Sequence, residues 1–263
     1  MNAKQTRSRI LAPLLAGILI AGCSANGGPG TGSAGGGNDG SISDGGSPST
    51  FPNDGTTPST VVDGQGGPTI PGHFICTGSA WAFGGIPTTE VGANGLIGGT
   101  LSDLLNSLGG TTLTTLLNSV KDKDLAIDGI LPTFSTFSLT AGGLGALNSV
   151  DQIVHINDAT VPSGNYAVFG VTFPAGTLAL SIANAVSVTT FLGTTQQETM
   201  TFDQTALQLL GAVNTGPARA FIGLKTHKDY NGVLIDLTPS VLSADVGDAM
   251  HVNELCTKGG FVN

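Results

Sequence analysis

The stretch Tyr166–Phe173, with the sequence YAVFGVTF, decides the fold class of this chain. Every second residue from Ala167 through Phe169 and Val171 to Phe173 is apolar, so these four side chains share one face if the segment is extended. Aromatic and β-branched residues also favour strands. The stretch therefore predicts a β-strand that buries one face in a core.

Similar segments occur on both sides of this strand. Ala220–Leu224 and Val233–Leu237 are apolar segments separated by a polar stretch that ends in Asn231-Gly232, and this dipeptide predicts a hairpin turn. Further strands are predicted at Ile130–Leu139, Gln152–Asn157, Ser187–Leu192 and Glu198–Phe202, with turns at Pro162–Asn165 and Gly193-Thr194; in a last strand Met250, Val252 and Cys256 share a face with Glu254. Many short strands at this spacing predict a sandwich or jelly roll.

The segment before residue 125 has a different pattern. Thr100–Leu108 and Thr112–Val120 repeat the order Thr-Leu-x-x-Leu-Leu-Asn-Ser-apolar. In the first copy the leucines recur at helical spacing, from Leu101 to Leu108. We expect one or two short helices here, packed on the sandwich near its N-terminus.

The first 23 residues predict export and lipidation. A basic start and an apolar run lead to Ile20-Ala21-Gly22-Cys23, the pattern that directs cleavage before a cysteine and its acylation in bacterial lipoproteins. Residues 1–22 are then a signal peptide, and Cys23 is the lipid attachment site. The alternative is an ordinary secretory peptide with an incidental cysteine. By resemblance to lipoproteins of two-membrane bacteria, Ser24 after the modified cysteine implies an outer-membrane or cell-surface location.

Composition divides the remainder into two parts. Residues 23–70 are rich in Gly, Ser, Thr and Pro and predict a disordered tether, while residues 71–263 predict one β-sandwich domain. The whole chain carries a formal net charge of −9. This acidity excludes nucleic acid as a partner, because phosphate backbones are bound by clustered basic residues.

Two cysteines other than Cys23 lie near the ends of the domain. Cys76 and Cys256 form an even pair in an exported protein, which predicts a disulfide. Its formation would place the domain termini side by side. The alternative is two unpaired buried thiols.

A longer segment resembles a known family. Ser119–Ser135, with the sequence SVKDKDLAIDGILPTFS, resembles the A-x-D-G-x-x-x-T-aromatic segment of discoidin-type, galactose-binding-like domains, in the variant of bacterial surface proteins. Counterparts of later motifs are Phe173–Gly176, Thr189–Glu198 and Val233–Cys256, so the resemblance covers about residues 118–257. It implies a galactose-binding-like sandwich, termini tied by a disulfide, and sugar or matrix ligands held by loops at one end.

Three sets of side chains are candidates for chemistry. Asp122, Asp124 and Asp128 occur in one loop-like segment and form a candidate structural calcium site, with a solvated turn in which Asp128 accepts local amides as the favoured alternative. The histidines His73, His155, His227 and His251 are dispersed, without metal-ligand spacing. Trp81 and Tyr166 are candidate sugar-stacking residues, with a core role as the alternative for each.

The function expected from these features is binding and not catalysis. No nucleophile, zinc or phosphate-binding motif occurs in the chain. We expect a membrane-anchored surface lipoprotein whose sandwich is a binding or adhesion module, for an extracellular glycan or a surface protein. The alternative is a structural envelope or assembly protein without a small-molecule ligand, and an enzyme ranks third.

Overall fold

A computed structural model describes residues 55–93, 116–139, 149–175, 183–211, 218–239 and 247–263. Within these ranges the chain is mainly β. The strands are β1 (Ser59–Asp63), β2 (His73–Ser79), β3 (Ile86–Gly92), β4 (Val120–Lys121), β5 (Ser135–Leu139), β6 (Val150–Asn157), β7 (Tyr166–Phe173), β8 (Ala183–Leu192), β9 (Thr195–Asp203), β10 (Ala218–Lys225), β11 (Gly232–Pro239) and β12 (Gly247–Val262). A 3₁₀ helix spans Lys123–Ala126, and one α-helix, α1, spans Gln204–Gly211.

The strands form two sheets, which confirms the predicted β-sandwich. The seven-stranded sheet has the order β1-β10-β7-β12-β5-β4, with β2 added to β12, and the five-stranded sheet has the order β3-β6-β11-β8-β9. Pairing is antiparallel, except that β1 lies parallel to β10.

The main core lies between the two sheets. The predicted strand Tyr166–Phe173 is confirmed as β7, and its alternate residues from Ala167 to Phe173 are buried in this core. Val154, Val188 and Ile235 face them from the five-stranded sheet. This inward and outward alternation is the pattern that a strand buried on one face requires.

Two short helices close the open sides of the sandwich. The 3₁₀ helix contacts β3, β5 and β12, and its Ala126 is fully buried. The helix α1 contacts β1, β8, β9 and β10, with Leu207 fully buried. Each helix therefore covers the core where neighbouring edge strands leave a gap.

The hairpin predicted at Asn231-Gly232 is wrong. β10 pairs with β1 and β7 in one sheet, whereas β11 pairs with β6 and β8 in the other, so the segment between them crosses from sheet to sheet. Glu198 holds this crossing, because its carboxylate accepts the backbone N–H groups of His227 at 3.0 Å and Lys228 at 3.2 Å. A turn dipeptide does not reveal whether the next strand returns to the same sheet.

A hairpin does occur at the other predicted two-residue turn. β8 and β9 pair antiparallel with Leu192 opposite Thr195, so Gly193-Thr194 is the turn. Gly193 has φ 61° there, a left-handed conformation that glycine adopts without steric cost.

The prediction that Met250, Val252, Glu254 and Cys256 share one face of β12 is wrong, because the strand contains a bulge. Val252 pairs with Val171 and Glu254 with Gly170, so one extra residue, Asn253, stands between the two pairs. Val252 and Leu255 both enter the main core as a result. Glu254 and Cys256 therefore lie on the opposite face from Met250 and Val252, and not on the same face as predicted.

The folded part begins before the predicted boundary at residue 71. β1, at Ser59–Asp63, lies inside the segment predicted to be a disordered tether. Val61 and Val62 are buried on opposite faces of the seven-stranded sheet, in separate apolar clusters. Two adjacent apolar residues are enough to hold this strand in the sheet, because every residue of β1 is paired with a residue of β10.

The predicted N-terminal helices fall mostly on residues 94–115, outside the described ranges. Residues 116–117 are helical, and β4 starts at Val120. The lipid attachment site Cys23, the signal peptide and the first part of the tether also lie outside the described residues.

The predicted disulfide is present. Cys76 and Cys256 are bonded with their Cα atoms 5.6 Å apart, across 180 residues of sequence. The bond joins β2 to β12, and Val262 pairs with His73, so the two ends of the domain lie side by side as predicted. Closing so long a loop stabilises the fold by about 5 kcal/mol in the chain-entropy model, which is an upper estimate.

Candidate functional site

The segment Asp122–Phe134, here named the Asp128 loop, is built around a hydrogen-bonded turn. Asp128 Oδ1 accepts the backbone N–H of Ile130 at 2.8 Å, and the Thr133 hydroxyl donates to Oδ2 at 2.8 Å. Gly129 has φ 80°, a conformation that other residues adopt only at a cost. The predicted local turn is confirmed, whereas the strand expected from Ile130 begins only at Ser135.

The other two predicted calcium ligands do not join Asp128. Asp122 takes a left-handed conformation before the 3₁₀ helix, and Asp124 pairs with Lys123 Nζ at 2.7 Å. No group of three or more His, Cys, Asp or Glu side chains suited to a metal ion occurs in the described part of the chain. The carboxylate of Asp128 instead holds the turn.

The Asp128 loop crosses the outer face of the seven-stranded sheet. Leu131 is buried there in a small apolar cluster with Val168 and Phe221. Gly129 donates its backbone N–H to Glu254 Oε2 at 2.9 Å, and the Asn253 amide donates to Thr133 O at 3.3 Å. At its start, Lys123 O accepts from the Gln152 side chain at 2.7 Å. Both sheets therefore position the loop.

The loop and its neighbour Trp81 expose a group of apolar side chains. Their exposed fractions are 44% for Trp81, 42% for Ile130, and 37% for both Leu125 and Phe134. Isolated exposed apolar residues are common, but several together mark an interaction surface. This group is the candidate binding surface of the protein.

Both aromatic rings of this surface are held in place. The Trp81 indole N–H donates to Ile127 O at 2.7 Å, so the polar edge of the ring is fixed while 44% of the residue remains exposed. The Phe134 ring stacks on His251 with the ring centroids 4.0 Å apart and the planes 7° from parallel. Because these contacts restrict the rings, a ligand would lose little additional side-chain freedom on stacking there.

Tyr166, the other predicted stacking residue, has a packing role. Its ring contacts Phe74 edge-on with the centroids 5.1 Å apart, and it lies 6.2 Å from Phe261. These rings belong to the small apolar cluster around the disulfide. Burial also raises the pKa of the Tyr166 hydroxyl.

The remaining histidines are spread over the molecule. His73 Nδ1 lies 3.2 Å from Thr57 O, His155 pairs with Glu90 at 3.1 Å, and His227 pairs with Asp63 at 2.7 Å. Each has a separate partner, as their spacing in the sequence predicts.

Glu254 is a buried acid beneath the loop. It is 1% exposed, and burial, with a further contribution from the charge of Asp128, raises its pKa to about 9, although the Gly129 amide, which donates a hydrogen bond to Oε2, and the adjacent Leu255 amide oppose the shift. Its carboxyl group is therefore protonated at neutral pH. Sequence reasoning did not assign Glu254 a role, although an acid between Val252 and Leu255 in an apolar strand is a recognisable signal.

The pKa of His251, on the same strand, is also shifted. Burial lowers its pKa, and the nearby Asp248 carboxylate opposes this shift. The imidazole is therefore neutral at pH 7. Its Nε2 lies 4.0 Å from Asp248 Oδ2, which is too far for a hydrogen bond.

Within the described part of the chain, no helix has the length and apolarity needed to cross a bilayer.

We predict that the Asp128 turn contributes measurably to stability. Asp128→Ala should lower the free energy of unfolding by about 1–3 kcal/mol, because the Ile130 amide loses its acceptor and the Thr133 hydroxyl loses its contact with the carboxylate. Gly129→Ala should cost about 1 kcal/mol from backbone conformation alone, since a Cβ at this position meets no atom within 4 Å. Urea unfolding provides the measurement.

The matched control is Gly260→Ala. Gly260 also has open space around the added Cβ but lacks a positive φ, so this variant should unfold like wild type. Equal stability of Asp128→Ala and wild type would show that Asp128 is a free surface carboxylate.

We predict a pH dependence of stability that originates at Glu254. Its folded pKa of about 9 lies above the ordinary value of 4.5, so the folded state binds more protons than the unfolded state between these values. The contribution of Glu254 to stability is therefore complete below pH 4.5 and is lost as the pH rises towards about 9. Glu254→Gln should remove this decline, measured by urea unfolding from pH 5 to pH 9.

Asp124→Asn is the control, because Asp124 is exposed and should leave the pH profile unchanged. A profile of Glu254→Gln that falls as steeply as wild type would place the titrating group elsewhere.

No family model matches this chain, and no curated protein matches it. Among solved structures it is similar to a carbohydrate-binding module, CBM28, described as specific for non-crystalline cellulose, with 11% identity and a TM-score of 0.32 over 48% of this chain and 79% of that one. Similarity at so low a TM-score gives no information about the ligand of this chain.

Proposed function

We propose that this chain is a lipid-anchored surface protein whose β-sandwich binds carbohydrate at the Asp128 loop. The observation that carries the proposal is the pair of restrained yet exposed aromatic rings, Trp81 and Phe134. The C–H faces of a sugar ring are apolar and pack against aromatic faces, while its hydroxyls need hydrogen-bonding groups nearby.

The Asp128 loop also carries polar groups suited to hydroxyls. Asp124 and Asp128 are exposed carboxylates of the loop. Carboxylates accept hydrogen bonds from hydroxyls, and backbone carbonyls do the same. An aromatic ring and acceptors on one hydrogen-bonded loop, with the Trp81 ring bonded to that loop, support a glycan-binding function better than an inert envelope role.

The anchor is the second part of the proposal, and it rests on the sequence Ile20-Ala21-Gly22-Cys23. Acyl chains on Cys23 would hold the protein at a membrane, because two chains suffice for stable attachment. The Gly-rich segment that follows would let the sandwich reach ligands away from that surface. An outer-membrane or cell-surface location is part of this proposal.

We predict that the full chain in detergent binds immobilised glycans through Trp81 and Phe134. In a glycan array followed by titration with the best soluble ligand, Trp81→Ala and Phe134→Ala should each weaken affinity about tenfold, the equivalent of roughly 1.4 kcal/mol of lost stacking. Leu209→Ala is the control, since Leu209 is 76% exposed on α1 at the other side of the sandwich.

Binding that survives the double variant Trp81→Ala, Phe134→Ala would place the glycan site elsewhere on the sandwich. No binding to any glycan by wild type would contradict the function and favour the structural envelope role.

We also predict that the anchor depends on Cys23. Cys23→Ala should release the protein from the membrane fraction of the expressing cells, because no thiol remains for acylation. Cys76→Ala is the control, since it removes a cysteine of the domain without touching the anchor. Retention of Cys23→Ala in the membrane fraction at the wild-type level would show that another segment holds the protein there.

A further inference from the structure

Two buried polar atoms without a hydrogen-bond partner lie on one strand under the Asp128 loop. Three such side-chain atoms occur in the described part of the chain: His251 Nε2, Glu254 Oε1 and Thr89 Oγ1. The first two belong to β12, three residues apart, while Thr89 belongs to β3 in the other sheet. A buried polar atom without a partner destabilises the folded state, so two on one strand require an explanation.

The bulge in β12 places these atoms on the same side of the sheet. Met250 and Val252 point into the main core, and after the extra residue Leu255 does so as well. His251, Asn253 and Glu254 therefore point out of the sandwich and form a strip, here named the β12 strip. The Asp128 loop covers this strip through Gly129 on Glu254, Thr133 on Asn253 and Phe134 on His251.

The hydrogen-bonding capacity of the strip is only partly used. The central residue, Asn253, is paired on both sides, because its amide donates to Thr133 O and its Oδ1 accepts from Thr172 at 2.9 Å. Glu254 accepts the Gly129 amide through Oε2 only, and its Oε1 remains free. The side-chain atoms without a hydrogen-bond partner therefore lie at the two ends of the strip, on His251 and Glu254.

The free groups suit a hydroxyl and not an ion. Glu254 has no cationic partner among the described residues, and a buried carboxyl without one is held in its neutral form. Since Oε2 accepts from Gly129, the acid proton belongs on Oε1, where it is a donor. Neutral imidazole nitrogen donates or accepts according to its tautomer. A hydroxyl group both donates and accepts, so it satisfies either atom.

The charges beside the strip favour an uncharged ligand. Asp128 lies near Glu254, and Asp248 lies near His251, and both are acidic. A ligand carrying carboxylates or sulfates would be repelled at both ends of the strip. A neutral sugar meets no such penalty.

From these observations we propose that the β12 strip is a binding site for the hydroxyl groups of a neutral glycan, contacted by His251 and Glu254 when the Asp128 loop lifts. His251 and Glu254 are separated along the strand by on the order of 10 Å, a span that hydroxyls of one oligosaccharide can bridge. The proposal deepens the proposed function, on which it rests, by naming the ligand class and two further contact residues.

The loop has to move because both free atoms are shielded from solvent. Only the second half of the loop, Asp128–Phe134, moves, because Ala126 and Ile127 stay buried in the main core. The contacts to be broken are the Gly129 and Thr133 hydrogen bonds, the stacking of Phe134 on His251, and the packing of Leu131. The bonds from Asp128 to Ile130 and Thr133 need not break, so this half of the loop can lift as a unit. Amide hydrogen exchange should then be faster at Gly129 than at Ile130, whose amide is bonded within the loop to Asp128.

The test compares the full chain in detergent with four variants, using soluble glucan, galactan and mannan as neutral probes and polygalacturonate as the charged probe. His251→Leu and Glu254→Leu should weaken binding of the best neutral polymer at least about tenfold, as expected for one lost hydrogen bond of roughly 1.4 kcal/mol. Glu254→Gln keeps an acceptor for Gly129 and a donor in place of Oε1–H, so it should bind within about threefold of wild type.

Thr89→Val is the matched control, since it removes the third unpartnered buried atom away from the strip and should leave affinity unchanged. Thermal melting of every variant verifies folding, and His251→Leu keeps the test valid if Glu254→Leu does not fold. Polygalacturonate should bind more weakly than the neutral polymers.

The outcomes separate this inference from the proposed function. If Trp81→Ala loses binding while His251→Leu and Glu254→Leu bind like wild type, the glycan function stands and the strip is not part of the site. Tighter binding of polygalacturonate would overturn the neutral ligand class. A rise in melting temperature with calcium in wild type but not in Glu254→Gln would identify a cation site and overturn the hydroxyl site.

Discussion

The bulge in β12 is the constraint on which the rest of the structure depends. β12 pairs with β2, β5 and β7, so it connects the edge that carries the disulfide to the centre of the seven-stranded sheet. The extra residue, Asn253, allows Val252 and Leu255 both to enter the core. It also turns Glu254 and Cys256 outward, and this places Cys256 against Cys76 and Glu254 beneath Gly129. A strand without the bulge would put an acid in the core and a thiol out of reach of its partner.

The Asp128 loop combines a rigid turn with polar groups that its own folding leaves unsatisfied. The turn is held by short-range bonds between Asp128, Ile130 and Thr133, none of which involves a residue of the sheet. Its attachment to β12 leaves His251 Nε2 and Glu254 Oε1 without partners. Buried polar groups of this kind reduce stability and occur where function requires them. Exposed aromatic rings above a neutral polar strip are an arrangement that suits an uncharged, hydroxyl-rich ligand.

Local patterns predicted the strands better than they predicted the sheets. Alternation identified β7 with its correct inward residues, and Gly193-Thr194 was correctly expected as a turn. The Asp128 turn and the disulfide were also predictable, one from hydrogen bonding within a few residues and the other from an even cysteine count. The hairpin at Asn231-Gly232 failed because Glu198, far away in sequence, binds the crossing segment and leads it to the other sheet.

What the sequence by itself determined about this protein is therefore local: strand positions, turn chemistry, cysteine pairing and the acidic charge. The export signal ending at Cys23 stays a prediction from the sequence. These depend on residues close together in the chain or on composition alone. The tertiary structure alone decided which strands share a sheet, that β1 joins β10 from within the predicted tether, and that β12 bulges at Asn253. It also decided that His251 and Glu254 meet the Asp128 loop, more than a hundred residues away. Contacts at such separation depend on the packing of the whole core, and no local pattern encodes them.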